Sequence, residues 1–81
     1  MKEIKILVDQ DQQLTGDQII NIIAEIGRAG DIIIVKNDGL RLADNYTVVI
    51  TSGTNKFDSI RYDSNDLDIA LKNALRRYLQ A

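Results

Sequence analysis

The eight residues from Ile26 to Ile33, I-G-R-A-G-D-I-I, decide the fold. They close one periodic segment and open another. If a second helix follows, the two glycines belong to a loop between helices. If a strand follows, they end a helix inside an α/β unit. Residues 31–36, D-I-I-I-V-K, are aliphatic and largely β-branched, which favours an extended, pleated segment. Four aliphatics in a row predict an inner strand covered on both faces. Gly30 then reads as the left-handed residue just past a helix end, Gly27 loosens the last turn, and Arg28 complements the negative end of the helix dipole.

Upstream, the spacing predicts a helix over 16–28. Thr15 and Gln18 fit a capping box, in which the Thr15 hydroxyl accepts from the residue-18 amide and the Gln18 side chain reaches back. Leu14 and Ile19 occupy the two positions of a hydrophobic staple, and Asp17 places a negative charge in the first turn. Ile19, Ile22, Ile23 and Ile26 form the apolar stripe, widened by Ile20.

The octet also resembles the signature loop of KH domains, I-G-basic-x-G-x-x-I, with Ile26, Gly27, Arg28, Gly30 and Ile33 at the matching positions. The resemblance covers eight of 81 residues. It implies a loop whose two glycines let it clamp about four nucleotides. In that family the loop joins two helices, whereas a strand follows here. The chain also lacks the aromatic and basic enrichment of an RNA surface. The helix-end reading is therefore adopted, and no family is assigned.

Elsewhere, residues 2–8, K-E-I-K-I-L-V, place Ile4, Ile6 and Val8 at period two and predict a strand. A three-residue turn, Asn37-Asp38-Gly39, is expected to pair Lys36 with Leu40 and Ile34 with Leu42, because a two-residue turn would oppose Lys36 and Arg41. Leu40–Leu42 becomes a short returning strand. Strands follow over 46–51 and 57–62. The last helix has the strongest period: Leu67, Ala70, Leu71, Ala74, Leu75, Tyr78 and Leu79, with Asp63 as the expected N-cap and Tyr62 stapled to Leu67. The order β-α-β-(β)-β-β-α predicts an α+β protein. It is a two-layer α/β sandwich in one domain over residues 1–81, with both helices on one face of a mostly antiparallel sheet.

Composition excludes several functions. The chain has no cysteine and no histidine, so disulfide frameworks and Cys/His zinc sites are ruled out, and an oxidising compartment is not required. The longest aliphatic run, Ile32–Val35, is far short of the ~20 residues that span a bilayer. The first residues do not form a secretory signal, and a cytoplasmic location is expected. Asp9 and Asp11 suggest a calcium loop, but Leu14 stands where such a loop needs glycine and Ile20 where it needs glutamate. No phosphate-loop motif occurs, and Ser52-Gly53-Thr54-Asn55 has the composition of a turn. Acid, base and nucleophile are nowhere brought together, so neither enzymatic activity nor a cofactor is expected.

A small acidic domain without a site, suited to an accessory protein of a bacterium or phage, is expected to act through protein contacts. Parity assigns Leu7, Val49 and the outward member of Ile32/Ile33 to the second sheet face, which predicts self-association as a homodimer through that surface. An alternative is nucleic-acid binding through Arg28, Lys36, Arg41 and the helix cations Lys72, Arg76 and Arg77, against which the net charge of −2 argues. A third reading is an inhibitor whose aspartates, ten of its twelve acids, mimic a polyanion for a basic partner.

Overall fold

A computed structural model describes all 81 residues. The protein is α+β, with the order α1 (Lys2–Asp9), α2 (Gly16–Arg28), β1 (Ile32–Asn37), β2 (Tyr46–Thr51), β3 (Ile60–Ser64) and α3 (Leu67–Leu79). The three strands form an antiparallel sheet in the order β1-β2-β3. The aliphatic run Ile32–Val35 therefore lies in an edge strand with exposed isoleucines, and not in the inner, doubly covered strand its composition predicts.

Helix α2 and its exit match the sequence closely. Thr15 Oγ1 accepts from the Gln18 amide at 3.2 Å, and Gln18 Oε1 accepts from the Thr15 amide at 2.9 Å, completing the capping box. At the other end Gly30 has φ +87°. The Asp31 amide donates to the Ile26 carbonyl and the Gly30 amide to the Gly27 carbonyl. Those two bonds are a Schellman closure, which requires the left-handed residue that glycine supplies.

The first segment is a helix, not the strand expected from its alternation. Ile4 and Val8, four residues apart, are buried, while Ile6 is 62% exposed. An eight-residue segment with apolar residues only at Ile4, Ile6, Leu7 and Val8 fits either period, and tertiary contact decides between them. Here α3 makes the difference. Lys72 Nζ donates to the carbonyls of Gln10 and Gln12, and Arg76 Nη2 donates to that of Val8. Carbonyls at and just beyond the end of α1, which have no intrahelical donor, are thereby satisfied.

The Leu40–Leu42 strand does not form. β1 pairs directly with β2, from Ile32 opposite Thr51 to Asn37 opposite Tyr46, so residues 38–45 make a long loop. The Asp38 carboxylate accepts from the Leu40 amide at 3.0 Å and draws the chain into a turn. Six rungs of Ile/Val-rich pairing replace a three-residue strand, which explains the preference. The last strand lies at 60–64 rather than 57–62. Phe57 leaves the sheet to pack edge-on against Tyr78, with ring centroids 5.7 Å apart. Asp66, not Asp63, caps α3, accepting from the amides of Asp68 and Ile69.

Val48 and Ile50 of β2 and Ile60 of β3 are buried with Ile22 and Ile26 of α2, Leu71 and Leu75 of α3, and Ile4 and Val8 of α1 in one core. All of it lies on one side of the sheet, with α3 across β2 and β3 and α2 over β1. No helix is long and apolar enough to cross a membrane.

Candidate functional site

The helices cover one face of the sheet and leave the other bare. Alternation along the paired strands places Ile32, Ile34 and Lys36 of β1, Thr47, Val49 and Thr51 of β2, and Arg61 and Asp63 of β3 on the bare face. That face has two halves of different chemistry.

The half over β3 is polar and internally satisfied. Asp63 accepts from the Thr47 hydroxyl, lies 3.2 Å from Arg61 Nε and 3.6 Å from Arg41 Nη1. The Thr47 hydrogen bond first, then the Arg61 hydrogen bond and the charges of Arg61 and Arg41, hold the Asp63 carboxyl below the usual carboxylate range. Arg41 reaches this cluster from the 38–45 loop and leaves its neighbours Leu40 and Leu42 in solvent, 95% and 105% exposed.

The half over β1 is apolar. Ile32 and Ile34 are 52% and 53% exposed, and the half-buried Val49 lies directly opposite Ile34. Burying such side chains is worth about 25 cal/mol per Å² of apolar surface, so their exposure is a standing cost in the isolated chain.

Of the predicted contact residues, Ile32 and Val49 lie on this surface and two do not. Leu7 belongs to α1 and packs against the core, because its segment is helical. Ile33 points to the helix side and also packs on the core. Ile34 takes the place of Ile33. A run of four aliphatics has no alternation from which to read its parity, and only the pairing of Ile34 with Val49 fixes it.

The six candidate cations do not act together. Arg28 pairs with Glu25 at 3.0 Å at the end of α2, and Arg41 pairs with Asp63. Lys36 is exposed at the end of β1 and Arg77 on α3. Arg76 donates to Val8 and Asn73. Lys72, a candidate cation for a phosphate partner, is instead buried, because the segment after α1 folds over it. Its ammonium binds two carbonyls and lies 3.1 Å from Asp68 Oδ2.

The carboxylates are similarly engaged. A hollow of about 350 Å³ beside the start of α3 contains Asp66 and Asp68. Asp66 caps the helix, and Asp68 accepts from the Leu14 amide at 2.8 Å and pairs with Lys72. Asp66 thus holds the start of its own helix, and Asp68 ties α3 to the segment before α2. No protein family, curated protein sequence or solved structure matches the chain.

Proposed function

We propose that this protein is a non-enzymatic interaction domain that acts through the bare half of its sheet and self-associates. One observation carries the proposal: Ile32 and Ile34, each more than half exposed, stand beside Val49 on the half of a sheet face that no helix covers. A domain of this size has little apolar surface to spare from its core, so leaving isoleucines in solvent favours a partner. The internal pairing of Arg28, Arg41, Lys72 and Arg76 leaves fewer free cations for phosphate and weighs against the nucleic-acid alternative. The cytoplasm suits such a chain, which has no cysteine to protect or oxidise.

Sedimentation equilibrium across a concentration series tests the proposal. The expected result is a reversible dimer that Ile34→Lys converts to a folded monomer. A monomer at the highest concentrations refutes self-association.

A further inference from the structure

Resting on that reading of self-association, we infer that the second copy docks edge to edge: β1 pairs with β1 antiparallel about Ile34, making one six-stranded sheet.

β1 is an edge strand, and its open side has a readable hydrogen-bond pattern. The Asp38 amide donates to the Asn45 carbonyl at 2.8 Å, in the same register that pairs Asn37 with Tyr46. Backbone groups alternate in direction along an antiparallel strand. Those of Ile32, Ile34 and Lys36 therefore point toward β2, and those of Ile33, Val35 and Asn37 point to the open edge. Natural edges are blunted by proline, bulges or charge. This one contains no proline, pairs rung for rung without a bulge, and has Lys36 as its sole charge.

The strand is most complementary to itself in one register: centring on Ile33 would keep only residues 32–34 of Ile32–Asn37 paired, whereas centring on Ile34 pairs residues 32–36. Pairing centred on Ile34 sets Ile34 against the second copy's Ile34 on the bare face, and Ile33 against Val35, twice, on the helix side. Lys36 then lies opposite Ile32, and no like charges meet. Sliding the centre to Val35 sets Lys36 against Ile34 and Asn37 against Ile33, losing the apolar pairs. Centring on Lys36 opposes two ammonium groups. Shifts of one residue would mix the two faces and are excluded by the pleat.

The two-fold axis of such a pairing is perpendicular to the sheet, so all helices remain on one side. α2 overlies β1 and carries Ile20, 64% exposed, and Ile23, 40% exposed. The dyad brings the second copy's α2 to the opposite side of the same seam. Val35, 36% exposed on the helix side, lies between them. Strand edge and bare-face isoleucines thus form one self-complementary surface, beside a helix whose Ile20 and Ile23 are exposed.

Single cysteines in this cysteine-free chain test the geometry. At the dyad the two Ile34 residues form a non-hydrogen-bonded pair with Cα atoms about 4.5 Å apart, within disulfide reach. The two Val49 residues would lie three strand spacings apart, about 14 Å, and the two Ile32 residues four positions apart along the seam, about 13 Å. Ile34→Cys, Ile32→Cys and Val49→Cys are oxidised mildly and run on non-reducing gels, with sedimentation of the reduced proteins alongside. The expected result is a dimer in all three reduced proteins and near-complete linkage in Ile34→Cys alone. Linkage of Val49→Cys would show face-to-face stacking and overturn the edge pairing. Equal linkage of Ile32→Cys and Ile34→Cys would overturn the register. A dimer with no linkage refutes the edge geometry but leaves self-association standing, whereas a monomer removes both.

Discussion

The Tyr78 hydroxyl donates to Asp31 Oδ2 at 2.7 Å, tying the last turn of α3 to the residue that leads into β1. Asp31 also accepts from the Gly53 amide at 3.1 Å, so one carboxylate joins the C-terminal helix, the helix-to-strand corner and the turn after β2. The Tyr78 and Gly53 hydrogen bonds hold the Asp31 carboxyl below its ordinary range, and burial, followed by the bond to Asp31, pushes the Tyr78 phenol up.

The signs give a pH test. A depressed carboxyl stabilises the fold above its unfolded value, about 3.9, and that contribution fades as pH falls through the lower folded value. A raised phenol contributes below about pH 10 and loses its contribution as pH rises through its higher folded value. Tyr78→Phe, which keeps the ring contact with Phe57, is expected to lower the melting temperature at pH 7, with the gap closing toward pH 2. Thermal unfolding at both pH values checks this. An equal gap at both would remove the carboxylate from the account.

Gly53 lies against the same corner. A Cβ there would overlap the Gly30 carbonyl oxygen, which is backbone and cannot swing away. Gly53→Ala is expected to cost about 1–3 kcal/mol, the range for forced overpacking. Gly27 has open space around it inside α2, and Gly27→Ala is expected to stabilise by roughly 0.5–1 kcal/mol. Urea denaturation of the two variants should shift the midpoint in opposite directions.

Lys72 is a structural cation. Lys72→Met keeps the stem but removes the ammonium that donates to the Gln10 and Gln12 carbonyls and pairs with the Asp68 carboxylate. Breaking a buried pair from one side costs about 3 kcal/mol or more. Hydrogen exchange should then show early opening of α1 and of residues 10–14. Arg77→Met, on the exposed side of the same helix, is expected to change stability by less than about 0.5 kcal/mol.

Thr15→Ala removes the acceptor for the Gln18 amide and is expected to cost about 1 kcal/mol. Because Gln18 returns the bond to the Thr15 amide, Thr15→Ala and Gln18→Ala should be non-additive in chemical denaturation, by about 0.5 kcal/mol or more.

Legibility followed the range of the determining interaction. The ends of α2 were readable because capping box and Schellman glycine are local chemistry, complete within a few residues of chain. β2 is readable because Tyr46–Thr51 is an unbroken run of aromatic and β-branched residues, and the stripe of α3 because seven positions repeat. Asp63 was misread as the cap of α3 because an aspartate there and at Asp66 offers the same acceptor. Only the strand pairing, which commits residue 63 to a rung opposite Thr47, separates them. On the candidate surface, parity places Val49 but does not choose between Ile32 and Ile33, since Ile32–Val35 shows no alternation.

The sequence by itself determined the α+β class, the helix-to-strand corner at Gly30 and two of the three helices, because each rests on periodicity or on hydrogen bonds between near neighbours. Tertiary structure decided the rest. It made α1 a helix by placing Ile4 and Val8 in the core and supplying Lys72 and Arg76 from 60 or more residues away to its terminal carbonyls. It also chose which isoleucines of β1 face solvent. A period of two has no preferred phase in a uniform run, and only a register with another strand sets one.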